Sequence, residues 1–81
     1  MSKFDKKIQR FLKKPKDYTE QEFISLLIGF GFKETKRVGG RVKYEDLNGN
    51  NIKYHPPHDT GHFKPCYLND FIKDLKSWGY L

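Results

Sequence analysis

All three histidines of this chain fall in one stretch, YHPPHDTGH, residues 54–62. His55 and His58 flank the rigid pair Pro56-Pro57, and His62 and Cys66 follow at short intervals. Three kinds of chemistry compete for such a run: a metal site, an acid–base site, or no chemistry in a solvated polar loop. The spacing His-x2-His-x3-His-x3-Cys offers ligand types that zinc favours. All four come from one run, however, whereas compact zinc sites draw ligands from separated knuckles. Cys66 also lies in the opening of a predicted helix, where a small packing role is common. The twin prolines further restrict how His55 and His58 converge, so neither a metal nor another cofactor is expected.

Acid–base chemistry fits the residue types better. Imidazole is the side chain whose ordinary pKa lies nearest neutrality. RNA is cut without metal when a base takes the 2′-hydroxyl proton and an acid protonates the leaving oxygen. Cations or backbone amides then stabilise the charged phosphorane. His58 and His55 are the candidate acid–base pair, with Arg41 and Lys64 as phosphate clamps. Lys43 and Lys53 extend the same basic surface. Each lysine also has an ordinary reading as a solvent-facing strand residue. Lys64 stands at the positive end of a helix, where stability gives no reason for a cation. His62 is assigned no role.

Elements must bring these residues together. Residues 2–14 predict an amphipathic helix with Phe4, Ile8, Phe11 and Leu12 on one face, a Ser2–Asp5 capping pair and a stop at Pro15. Burial of that face is favoured over a free basic arm touching RNA or lipid. In DYTEQEFISLLIGFGF, Thr19 and Glu22 form a capping box, and Tyr18 and Phe23 take the staple positions. Phe23, Leu26, Leu27 and Phe30 form the apolar stripe, and Gly31 gives a left-handed stop. Three strands follow, at 32–38, 41–47 and 51–55, with VGGR and NGNN as turns. The last helix opens at Pro65, buries Leu68, Phe71, Ile72, Leu75 and Trp78, and ends at Gly79. The expected class is α+β: a three-stranded antiparallel sheet with one face under two helices and the other free to be basic. Residues 1–81 form one domain, of which 2–14 are an N-terminal helical extension.

Composition sets the outer limits. The chain has 81 residues, 16 Lys and Arg against 10 Asp and Glu, and a net charge of +6. Its pI is near 9.5 and its mean hydropathy is −0.86. A basic surface attracts nucleic acid, an acidic membrane face or an acidic protein. The single cysteine excludes an internal disulfide and makes a reducing, cytoplasmic setting the default. No apolar run is long enough to span a membrane, and the N-terminus lacks a signal-peptide core.

Over residues 18–80 the order EFISLLIGFGFKETKRVGGRVKY, hairpin, YHPPHDTGHFKPCYLNDFIKDLKSWG resembles the HicA family, small toxins of bacterial toxin–antitoxin pairs. The resemblance rests on the GFGF ending the helix, the Gly-rich turn into the second strand, and Pro56, Pro57 and His58 preceding Lys64-Pro65. It implies a double-stranded-RNA-binding-like α-β-β-β-α fold and a metal-independent endoribonuclease that cleaves mRNA and blocks translation. It also implies a HicB-type antitoxin partner and a monomer or weak dimer when free. One departure matters. Many family members carry Gly-Ser-His at the start of the second strand, where that histidine is catalytic; this chain reads Gly39-Gly40-Arg41. Arginine stays protonated and is no general base, although its fork binds phosphate. Either catalysis has moved to His58 and His55, or the domain binds RNA or its antitoxin without cutting.

Overall fold

A computed structural model describes residues 3–57 and 61–81. The elements are α1 (Lys3–Leu12), α2 (Glu20–Phe30), β1 (Lys33–Val38), β2 (Arg41–Glu45), β3 (Asn51–Tyr54) and α3 (Pro65–Ser77). The sheet is antiparallel in the order β1-β2-β3. The chain is therefore α+β, with the expected order of elements. Ser2 and His58 lie outside the described residues.

The α2 start follows its local code. The Thr19 hydroxyl accepts the Glu22 backbone N–H at 3.2 Å and donates to the Glu22 carboxylate at 3.2 Å. The helix ends at Gly31, whose φ of 101° lies in the left-handed region. One face buries Phe23, Leu26 and Leu27. Phe23 stacks on Phe71 of α3 with ring centroids 4.4 Å apart, and it meets Tyr54 and Phe63 edge-on at 5.6 Å. Val42, Tyr44, Ile52 and Tyr54 fill the core from the sheet. Alternation in β2 and β3 therefore sends every second side chain inward.

Helix α1 packs as favoured. Phe11 is fully buried against Tyr18 and Phe23, while Phe4 and Ile8 lie against the core. Leu12, expected on the buried face, is 40% exposed because the helix ends there. Gly29 permits this seating: a Cβ at that position would come within 2.2 Å of the Phe4 ring. Arg10 fastens the seam, donating to Glu22 at 2.5 Å and to Asp17 at 3.2 Å. Arg10 holds the Glu22 carboxyl below its ordinary range by this hydrogen bond, against the opposing cost of burial.

Several expected details differ. Strand β2 stops at Glu45 rather than 47, and Leu47 is 93% exposed. The reason is Asp46, whose carboxylate accepts the backbone N–H groups of Asn48 (3.0 Å) and Asn50 (2.8 Å) and closes the turn one residue early. Tyr80 donates to the same carboxylate, tying the chain end to the hairpin. Strand β3 ends at Tyr54, since Pro56 cannot donate to a ladder, so His55 stands just past it. Cys66 is exposed rather than packed, because it faces outward from the first turn of α3. Trp78 is the helix cap and only partly buried.

Candidate nucleic-acid interface

The outer face of the sheet is cationic by register. Lys36 pairs with Lys43, and Lys43 pairs with Lys53. Three ammonium groups thus lie in a row across the three strands, a span of about 10 Å from the strand spacing alone. Like charges directly opposite one another disfavour the sheet. A single ion pair relieves the row among the described residues: Lys43 to Glu45 at 3.6 Å.

Lys36 joins the row through a bulge. The register shifts between Glu34 and Lys36, which leaves Thr35 as the extra residue. Its hydroxyl donates to the Lys43 carbonyl oxygen at 3.4 Å. Strict alternation through β1 would have placed Lys36 with Glu34, and period-two reading of the sequence could not find it. The same bulge puts Glu34 and Arg37 together on the inner edge, where they pair at 2.6 Å.

His55 is held by the other hairpin. Val38 pairs with Arg41, so Gly39-Gly40 is a two-residue turn, with Gly39 at φ 57°. The Gly40 carbonyl oxygen accepts a hydrogen bond from His55 Nδ1 at 2.6 Å. Since a carbonyl only accepts, Nδ1 carries the proton, and in the neutral ring the lone pair belongs to Nε2. The ring is exposed, beside Arg41.

Two grooves meet at this point. The first, about 360 Å³, is lined by Lys36, Arg41, Lys43, Lys53 and His55 over a floor of Val42 and Tyr54. The second, about 460 Å³, runs between the Pro56-Pro57 segment and α3, and contains Lys64. Lys53 and His55 line both. The predicted residues are therefore brought together unequally. Arg41, Lys43, Lys53 and His55 share one groove, and Lys64 stands in the other as the residue before α3, its side chain capping nothing. His58 lies outside the described residues. His62 is exposed and bridges in antiparallel fashion to Thr19, while the Phe63 N–H donates to the Tyr18 carbonyl at 2.8 Å, which fixes the far end of the histidine run.

Residues missed by sequence reasoning are Lys36 in the first groove and Tyr67, Asp70 and Asp74 in the second. The last three follow helical spacing on α3, but nothing in the sequence says which strand end they face. Among the described residues, no cluster of three or more His, Cys, Asp or Glu side chains is arranged to hold a metal. No helix described is long and apolar enough to cross a membrane. Comparisons with protein-family models, with curated proteins and with solved structures find no match for this chain.

Proposed function

We propose that this protein binds RNA on the outer sheet face and cleaves it without a metal, as the toxin of a HicA-type toxin–antitoxin pair. The observation that carries the reading is the Lys36–Lys43–Lys53 row beside an exposed, carbonyl-oriented His55. A lysine row that repels itself gains from a polyanion and from little else. Phosphates of a strand lying across it would release counterions, and the Arg41 fork would take a phosphate in the same groove. The resemblance of residues 18–80 to the HicA family supplies the toxin context, the double-stranded-RNA-binding-like fold name, the mRNA target and the HicB-type partner.

In the proposed reaction, Nε2 of His55 takes the 2′-hydroxyl proton. The 2′-oxygen attacks phosphorus, the bond to the 5′-oxygen breaks, and a second acid protonates that oxygen. His58 is assigned the second role. Arg41, Lys43 and Lys53 would hold the negatively charged oxygens of the phosphorane. The products are a 2′,3′-cyclic phosphate and a free 5′-hydroxyl.

The test is cleavage of labelled mRNA by wild type, His55→Ala and His58→Ala, with and without EDTA. Cleavage that resists EDTA and falls at least about a hundredfold in each variant is expected. Undiminished cleavage by both variants would remove the assignment. A second reading has its own observation: arginine stands at position 41, where many members of the family it resembles carry the catalytic histidine. It describes a domain that binds RNA or the antitoxin without turnover, and predicts salt-sensitive RNA binding with no product.

A further inference from the structure

The second groove differs from the first in kind. Its floor is apolar and aromatic, made by Tyr54, Phe63 and Phe71, all buried. Pro56 and Pro57 lie along it, and Tyr67 stands on α3 with half its surface exposed. Asp70 and Asp74 project one helical turn apart into the same space. Both are exposed, and among the described residues no hydrogen bond or ion pair occupies either carboxylate. Carboxylates are wrong for a phosphate, which they repel. They are right for the N–H donors on the edge of a nucleobase. Single-stranded RNA is read in this way, by a base splayed onto an aromatic ring and hydrogen-bonded along its Watson–Crick edge.

Position supports the match. Lys53 and His55 line both grooves, so a strand whose phosphate lies at these two residues has its neighbouring base at the mouth of the second groove. A volume of about 460 Å³ holds a purine with its sugar. Guanine alone among the four bases presents two adjacent donors, N1–H and the exocyclic amine, which one carboxylate accepts together.

We infer that the groove between Pro56-Pro57 and α3 is a nucleobase site, in which Tyr67 stacks on the base and Asp70 or Asp74 selects guanine. This rests on the RNA-binding reading of the adjoining groove and adds to it the identity of the favoured base.

The experiment titrates the full chain with the 3′-monophosphates of guanosine, inosine and uridine, following backbone and tyrosine resonances by NMR. Inosine lacks the exocyclic amine. Guanosine monophosphate is expected to bind roughly fivefold or more tightly than the other two and to shift the signals of Tyr67 and Asp70. In the Asp70→Asn/Asp74→Asn double variant the preference is expected to vanish, with guanosine monophosphate falling to the affinity of the other two, whose own affinity holds or rises because two negative charges have gone. Tyr67→Ala should weaken all three nucleotides alike. Both changes are at exposed positions, and circular dichroism verifies that the variants fold. Equal affinities in wild type, no binding of any nucleotide, or a preference that survives the double substitution would overturn the inference. The two readings separate cleanly. A guanine preference with mRNA left uncut sinks the nuclease assignment and leaves the base site standing. Cleavage without base preference does the reverse.

Discussion

Two charged regions of this molecule treat the same residue types in opposite ways. Along the α1–α2 seam and the inner sheet edge, cations have partners. Arg10 holds Glu22 and Asp17, and Arg37 holds Glu34 at 2.6 Å and Glu20 at 3.5 Å. Glu20 in turn accepts the Tyr54 hydroxyl at 2.8 Å. On the outer face, Lys36, Lys43 and Lys53 share one anionic neighbour, and Arg41 has no ion pair among the described residues. Paired charges close the rim of the core. Charges left facing one another cost stability, a cost that the RNA of the proposed function would offset.

The difference can be broken at either side, and the paired side rests on the aromatic core. Phe23 is the hub of that core, with ring contacts to Phe11, Tyr54, Phe63 and Phe71. Phe23→Ala should cost about 3–5 kcal/mol, seen as an early midpoint in urea denaturation. That is enough to unfold much of a domain of this size.

Next in size is the α1 seat. Gly→Ala inside a helix ordinarily gains about 1 kcal/mol. Gly29→Ala should instead lose about 1–3 kcal/mol, because the new methyl meets the Phe4 ring. Adding Phe4→Ala should recover part of the loss, and a stabilised single variant would show that α1 is not seated as described.

On the open face the expectation inverts. Lys36→Gln, Lys43→Gln and Lys53→Gln should leave the denaturation midpoint unchanged or slightly raised. Each should reduce the slope of log RNA affinity against log salt by about 0.7. The first sixteen residues hold seven of the sixteen Lys and Arg and one acidic residue, so this N-terminal segment is the proper control. Lys6→Gln and Lys13→Gln should act through the long-range field alone and change the slope less.

A pH experiment sharpens the paired side further. Burial works against ionised Asp46, but hydrogen bonds from Tyr80, Asn50 and Asn48 outweigh it and hold the carboxyl below its usual range. A carboxyl lowered in the folded state contributes stability that is present above its unfolded pKa, about pH 4, and lost as pH falls through the folded value. Tyr80→Phe should flatten the fall in stability between about pH 4 and pH 2. The smallest effect is expected at Tyr18. Its ring is buried, and its hydroxyl has no hydrogen-bond partner among the described residues. Tyr18→Phe removes an unpaired polar group and should be neutral or stabilising by up to about 1 kcal/mol in thermal unfolding.

Much of the scaffold was legible because it is set by short-range rules. The Thr19–Glu22 cap, the Gly31 stop, the Pro65 opening and the helical stripes each depend on residues within about four positions. So does the inward alternation of Val42, Tyr44, Ile52 and Tyr54. Where a local signal has a nearby competitor, short-range rules fail. Asp46 captured the turn and left Leu47 outside, and the first turn of α3 pointed Cys66 to solvent.

By itself, then, the sequence determined an α+β chain with a cationic strand surface and a histidine run placed after its last strand. Register, the bulge and the meeting of segments distant along the chain were decided in three dimensions. One extra residue at Thr35 turned Lys36 into line with Lys43, which no periodicity encodes. The Gly40 carbonyl found His55 fifteen residues away and fixed its proton on Nδ1. Pairing between strands and the placing of α3 opposite the Pro-Pro segment depend on contacts across the whole fold, so those contacts, rather than local propensity, put the imidazole between a row of lysines and an aromatic groove.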